Sequence, residues 1–328
     1  MDKYIPPYEV TEEMMDVVAE IMENLGRLNS VESLDKLPRL RRTSRIKSIH
    51  SSLAIENNTL SVEQVTDVIN GKRVLAPKDD IIAVKNANEA YKEIERINPF
   101  NLNDLLKVHA LMMSDLVSEA GKLRTNQVGV YNEKGDVVHL APPPDLAPSL
   151  LEQLFDWVKT SKTNMLIKSS IFHYEFEFIH PFRDGNGRMG RLWQTALLAS
   201  WKPIFAWIPI ESIIKDNQEE YYRAITLSTS QGKSNIFILF MLNVINSAIK
   251  DLVKDTENHF NHINNQISQL LKVIESYPQS AGELMEKLGL KSRDGFRKNY
   301  LNPAIELGLI SMTIPNKPTS KNQMYYKV

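Results

Sequence analysis

The sequence predicts a mainly α-helical protein of two domains, with one small β-hairpin set into the larger of them. Three features carry that prediction. Apolar side chains recur at helical spacing through most of the chain, as at Met14, Val17, Val18, Ile21, Met22 and Leu25. Between Gly121 and Pro144 the spacing lapses, and Val128, Val130, Val137, Val138 and Leu140 flank the turn signal Asn132-Glu-Lys-Gly-Asp. Residues 254–266 are polar yet hold neither Gly nor Pro, which reads as a helical linker and puts the domain boundary there. A length of 328 residues suits about two domains.

In chain order, residues 11–29 form the first helix. A second starts near Leu37 and runs to about Asn57, basic at first (Arg39, Arg41, Arg42, Arg45, Lys47) and carrying Ser52 and Glu56 one turn apart on one face. Ser61 and Gln64 make a capping box that opens a third helix, which Gly71 ends. Residues 79–97 and 101–117 read as two more, parted by Asn98-Pro99. The hairpin ends at Pro142-Pro143-Pro144. Pro148 starts a helix to about Thr160, and 164–179 another. Glu211–Ser230 and a long apolar helix from Asn235 past Val253 follow. Beyond the linker come a helix over Ile267–Ser276, a short helix opened by the Ser280–Glu283 capping box, a helix capped by Ser292, and two strands from Leu309 to the end.

Composition bounds the partners. With 42% hydrophobic and 24% charged residues the chain is ordinary for a soluble globular protein, and a net charge of −1 gives no global argument for nucleic acid or membrane. The lack of cysteine excludes disulfides, thiolate metal sites and cysteine nucleophiles, and it fits a cytoplasmic protein. The N-terminus lacks the apolar core of a signal peptide. The most apolar run, Ile236 to Ile245, is interrupted by Asn243 and reads as too short to span a bilayer. A soluble, cytoplasmic protein with no membrane partner is expected.

One stretch concentrates the chemistry. His180 to Arg191 reads His-Pro-Phe-Arg-Asp-Gly-Asn-Gly-Arg-Met-Gly-Arg. Gly185 and Gly187 flank Asn186, so the backbone can take positive φ and turn its amides towards one point. The turn opens directly into a helix, and amides at a helix N-terminus make an anion site. Arg188 and Arg191, three apart, share a helix face above it. Asp184 is a hard oxygen ligand suited to Mg²⁺ beside phosphates. His180, four residues earlier, can serve as a base. Together these make a polyphosphate site with a proton acceptor. His173, and the pair His259 and His262, lack a carboxylate partner at zinc-type spacing and read as incidental.

At every defining position this stretch matches the signature His-x-Phe-x-Asp/Glu-Gly-Asn-Gly-Arg-x-x-Arg, and residues 40–250 thereby resemble the Fic family. The resemblance implies a Fic-type helical bundle that transfers AMP from ATP to a Ser, Thr or Tyr hydroxyl of a protein. It implies that His180 takes the hydroxyl proton and Asp184 holds Mg²⁺ between the α- and β-phosphates. The amides of Gly185, Asn186 and Gly187 would bind phosphate oxygens, and Arg188 and Arg191 would neutralise the β- and γ-phosphates. Phe182 reads as the core plug of the loop. Tyr221 and Tyr222 lie where related chains contact adenine, and they read equally well as core aromatics. Ser52-Leu-Ala-Ile-Glu56-Asn57 fits the family's inhibitory motif Ser/Thr-x-x-x-Glu-Gly/Asn. Glu56 would then pair with Arg191 and deny the γ-phosphate its counter-charge, with Ser52 supporting the helix. Alternatively Glu56 orients a water and the site removes AMP. The hairpin resembles the family's flap, which adds a target segment as a strand. Relatives that transfer phosphate have lysine where this chain has Gly187, which favours AMP.

The domains expected on this reading are 1–100, an N-terminal helical region with the inhibitory helix at about 38–57; 101–250, the catalytic domain; 251–266, the linker; and 267–328, a module whose helix-turn-helix followed by a hairpin resembles the winged-helix fold. Residues 267–328 hold nine Lys/Arg against five Asp/Glu. DNA binding through the helix from Ser292 and protein–protein docking both stay open for it. So do self-modification, a homodimer, and a rival class: a transcriptional regulator responsive to ATP.

Overall fold

The computed structural model describes residues 4–30, 38–131 and 137–328. The chain divides into two compact units, Met1–Leu252 and Val253–Val328. The 1–100 and 101–250 segments thus pack within the first unit.

That unit opens with α1 (Glu12–Ser30), α2 (Pro38–Ile55), α3 (Val62–Ile69), α4 (Lys78–Lys92) and α5 (Leu102–Met112). The Ser61–Gln64 box forms with both reciprocal bonds and starts α3 where its sequence dictates. The flap pairs β1 (Gly129–Tyr131) antiparallel with β2 (Val137–Leu140), Gly129 opposite Leu140. Its expected turn, 132–136, lies outside the described residues, as does the expected helix start at Leu37. Next come α6 (Ala147–Thr160), α7 (Met165–Ile179) and α8 (Asn186–Trp201). α7 is buried on nearly every side, as a central helix must be, and the carboxyl of its buried Glu175 is matched by the Tyr4 hydroxyl at 2.6 Å. The single helix expected over 211–230 is two, α9 (Ile210–Asp216) and α10 (Gln218–Gln231). Asn217 breaks it, with its side-chain amide turned back to the Ile213 carbonyl at 2.8 Å.

Where two helices and a linker were expected, one helix, α11 (Asn235–Val273), runs on, because 254–266 contains nothing to stop it. The reading of its apolar run as too short needs correction. The segment Asn235–Asn258, 24 residues with a mean hydropathy of 1.8, is long and apolar enough to cross a membrane, and 61% of its apolar window is buried inside the protein. Its Asn246 is satisfied internally, accepting from Asn24 at 3.0 Å and donating to Glu20 at 2.6 Å, as in a core helix.

The second unit holds the end of α11, then β3 (Gln279–Ser280), α12 (Ala281–Lys287), α13 (Arg293–Phe296), α14 (Asn302–Glu306), β4 (Ile310–Met312) and β5 (Met324–Lys327). A π-helical stretch, Arg297–Leu301, joins α13 to α14 just ahead of Pro303, which cannot donate an amide to a regular helical ladder. The three strands are antiparallel in the order β3-β5-β4. Leu270, Leu284, Phe296, Leu301 and Tyr325 meet in the core beside them.

Candidate active site

The site is built on the turn between α7 and α8. α7 ends at His180, which adopts left-handed backbone (φ 49°, ψ 59°) while its amide closes the last turn on Phe176 O at 2.9 Å. A non-glycine residue there is uncommon and costs about 1–2 kcal/mol. Phe182 plugs the core at 0% exposure, as expected. Asn186 is buried and clamps the turn shut, accepting from the Phe182 amide at 2.9 Å and donating to the Phe182 carbonyl at 2.8 Å. Gly185 takes φ 86° and leads into α8. Its amide donates to Asp184 Oδ1 at 2.5 Å, and Arg188 donates to the same oxygen at 3.0 Å. His180 Nδ1 lies 3.3 Å from the Glu177 carbonyl, which can only accept. A proton on Nδ1 suits that carbonyl, and in this tautomer Nε2 carries the lone pair of a base.

Ser52 and Glu56 meet Arg191, which is far from them in the chain, in the fold. The buried Arg191 guanidinium donates through Nε to Ser52 Oγ at 3.1 Å, and through Nη2 to the Ser52 carbonyl at 2.9 Å and Glu56 Oε1 at 2.7 Å. Glu56 caps the C-terminus of α2. Asn57 follows at φ 63°, and the Asn57 and Asn58 amides bond back to Ala54 and Leu53 at 3.1 Å each. This is a Schellman ending, which gives the motif's Gly/Asn position a physical reason: those residues tolerate left-handed backbone best. Gly187 has its own reason. A Cβ there would lie 2.5 Å from Glu56 Oε1 and 3.0 Å from Arg191 Nη1, so a side chain at 187 and the Glu56 carboxylate exclude one another.

A cavity of about 210 Å³ brings together Glu56, Glu177, His180, Gly187, Arg191, Tyr221 and Tyr222. Tyr221 is 2% exposed and its hydroxyl lies 3.1 Å from His173 Nε2, so it serves the core and the cavity wall at once. Buried His173 is fully engaged, with Gln194 on its other nitrogen at 2.6 Å, and desolvation pushes it down to about 3. Asp184, Asn186 and Arg188 do not line this cavity; Asp184 pairs with Arg188 beside it. Among the described residues no group of three or more His, Asp or Glu is placed to hold a metal ion.

Glu177 was not singled out from sequence. It is buried, with Oε2 3.7 Å from His180 Nδ1 and Oε1 without a hydrogen-bond partner among the described residues. Desolvation, reinforced by Glu56 and opposed by Arg191, pushes its carboxyl up to about 8. The folded form therefore holds a proton that the unfolded chain releases near the ordinary 4.5. This contribution to stability is full below that value and is lost as pH rises towards 8. Glu177→Gln cannot lose it, so melting curves should show the variant gaining on wild type between about pH 5 and about pH 8.

Two further residues hold the turn. His109 of α5 accepts from the Gly121 amide through Nδ1 at 2.8 Å, donates through Nε2 to the Asp184 carbonyl at 3.0 Å, and stacks on Phe182 at 3.6 Å. Burial pushes it down to about 4, so it stays neutral and keeps that tautomer near neutral pH. Arg124 donates to the carbonyls of His180 at 2.8 Å, Asn126 at 2.9 Å and Pro142 at 2.5 Å, and its amide donates to Pro181 O at 2.9 Å. One guanidinium thus ties the end of α7 to both feet of the flap. Arg124→Ala is expected to cost about 3 kcal/mol in urea unfolding, since several buried carbonyls lose a charged donor. Lone residues in a helix and a loop carried no periodicity or motif that could have flagged them.

The chain resembles known proteins in sequence and in fold. Residues 99–198 match the Fic/DOC family, and residues 265–326 match the C-terminal domain of Filamentation induced by cAMP protein Fic-like. Among curated proteins, the Protein adenylyltransferase Fic of Drosophila willistoni is 25% identical over 255 residues, 73% of this chain and 46% of that protein. Protein adenylyltransferase fic-1 of Caenorhabditis elegans is 24% identical over 264 residues, 75% of this chain and 47% of that one. The chain thus spans about half the length of these relatives. The crystal structure of a Fic family protein from Desulfovibrio desulfuricans G20 superposes with a TM-score of 0.75 at 44% identity, covering 99% of this chain and 98% of that one. With its motif, its fold and both of its units accounted for in this way, the chain belongs to the Fic family.

Proposed function

We propose that this protein is an adenylyltransferase that moves AMP from ATP to a protein hydroxyl and is held in check by Glu56. His180 Nε2 takes the proton as the hydroxyl oxygen forms its bond to the α-phosphorus, and the bond to pyrophosphate breaks. Such a base contributes about a hundred- to ten-thousand-fold, and the rest comes from positioning and electrostatics. Arg191 is the counter-charge for the outer phosphates once Glu56 leaves it, with Arg188 beside it. Tyr221 and Tyr222 offer ring surface for the base. The flap edge offers a strand for the target. Asp184, exposed over 55% of its side chain, suits Mg²⁺ in the mode where substrate phosphates supply most ligands. That ion would neutralise phosphate charge.

The observation that carries this reading is the 2.7 Å pair of Arg191 with Glu56 inside the cavity of His180. Transfer of label from α-labelled ATP by wild type, Glu56→Gly, and Glu56→Gly with His180→Ala tests it. Label in the single variant alone supports it. No label in any variant, with ATP binding intact, counts against it and in favour of AMP removal or regulation.

For residues 267–328 we propose a winged helix that binds DNA. The strand order and the exposed Arg293 and Lys298 support this, whereas Arg297 is committed to the Pro318 carbonyl at 2.9 Å. Arg293→Ala should then weaken binding to duplex DNA and lower its salt slope by about one. An unchanged slope would favour protein docking.

A further inference from the structure

Behind the Glu56–Arg191 pair lies a buried carboxyl that the transfer chemistry does not use. Glu211, in the first turn of α9, is 1% exposed. Its Oε2 accepts from the Ser48 hydroxyl of α2 at 2.7 Å. Its Oε1 accepts from the Tyr91 hydroxyl of α4 at 2.7 Å and from Thr195 of α8 at 3.5 Å. Burial pushes this carboxyl up, and Ser48, Tyr91 and the Arg191 charge work against that push. An apolar side chain of similar volume would often be as stable in such a place, so the carboxyl calls for a reason beyond stability.

Its donors lead back to Arg191. The guanidinium donates through Nε to Ser52 Oγ, and Ser52 is 1% exposed, so the Ser52 hydroxyl proton needs a second acceptor inside the protein. Tyr91 supplies one. Ser52 opposes the rise that burial imposes on the Tyr91 phenol, as a hydroxyl donating to the phenol oxygen does. Tyr91 donates in turn to Glu211. The result is a directed chain, Arg191 to Ser52 to Tyr91 to Glu211, in which each hydroxyl accepts on one side and donates on the other. Each bond in such a chain polarises the next. All four residues are no more than 2% exposed, so water does not compete for them. The inner edge of the guanidinium is thereby tied to α4 and α9, while Nη2 meets Glu56 and Nη1 faces Gly187 on the cavity side.

We propose that Tyr91 and Glu211 are positioning residues for Arg191. Through Ser52 they hold its guanidinium in one plane, with the outer nitrogens presented to Glu56 or, once Glu56 is gone, to phosphate. The phosphate half of this rests on the proposed role of Arg191 in transfer; the hold on Nε does not.

Two measurements on the full chain test it. The first uses no nucleotide: exchange of the Arg191 Nε–H proton with water, followed by nitrogen-15 NMR and assigned by its loss in Arg191→Lys. Exchange should be at least about tenfold faster in Tyr91→Phe than in wild type, and about threefold faster in Glu211→Gln, which keeps one acceptor oxygen. Tyr174→Phe removes a different buried phenol, one that meets Thr229 at 3.2 Å, and should leave exchange unchanged. The second is calorimetric titration with ATP in the Glu56→Gly background. There Tyr91→Phe should weaken binding at least about tenfold and Tyr174→Phe should not. Unchanged Nε–H exchange in Tyr91→Phe, or equally faster exchange in Tyr174→Phe, overturns the proposal whatever ATP does. Faster exchange with ATP binding unaltered in Tyr91→Phe overturns its phosphate half. If exchange responds as expected and Glu56→Gly binds no ATP, the positioning holds and the transfer reading fails. Should Glu211→Gln not fold, Tyr91→Phe, which loses a single oxygen, decides alone.

Discussion

Glu56→Gly is expected to raise AMP transfer by about 10- to 100-fold. The Glu56–Arg191 bond is charge-assisted and joins a buried guanidinium to a carboxylate exposed over 33% of its side chain. Such bonds contribute about 1.5–3 kcal/mol, and each 1.36 kcal/mol is a factor of ten. That energy must be given up before Arg191 can serve a phosphate, so removing Glu56 removes the cost. The helix end should survive, because the bonds that close it run between backbone groups of Leu53, Ala54, Asn57 and Asn58. Glu56→Gln, which keeps the shape and loses the charge, should fall between wild type and Glu56→Gly. Counting α-label incorporated per minute settles the matter, and equal rates in all three would remove Glu56 as the brake.

Replacing His180 in the released Glu56→Gly background should lower transfer by about a hundred- to ten-thousand-fold. Two substitutions separate chemistry from folding. Ala at φ 49° bears a left-handed strain that Asn tolerates better, so His180→Asn is the milder change to the backbone. If the base is what matters, both variants lose label to the same extent and both still bind ATP. Retained activity in His180→Asn alone would mean that the left-handed turn, rather than the imidazole, is what the site needs.

These two experiments rest on residues of different legibility. The turn His180–Arg191 could be read in the chain because its parts lie within twelve residues and their chemistry is local: glycines for the turn, a helix start, two arginines three apart. The capping boxes at Ser61 and Ser280 were legible for the same reason, since each is closed by a residue three positions on. The break at Asn217 was not, because Asn fits a helix interior and only its own side-chain bond ends the helix. Nor were His109 and Arg124, whose partners at the turn, Asp184 and His180, lie 75 and 56 residues away.

The sequence by itself determined the family, the helical class and the glycine-flanked turn, and the resemblance it carries implied the pairing of Glu56 with Arg191. Each depends on residue types at short, defined spacing. The tertiary structure alone decided that Arg191 spends its donors on Ser52 and Glu56, that Glu177 is buried beside His180, and that two buried donors of Arg45 have no partner among the described residues. Burial and proximity across the fold set those states. A carboxyl or a guanidinium reads the same in a sequence whether water surrounds it or a neighbouring helix does.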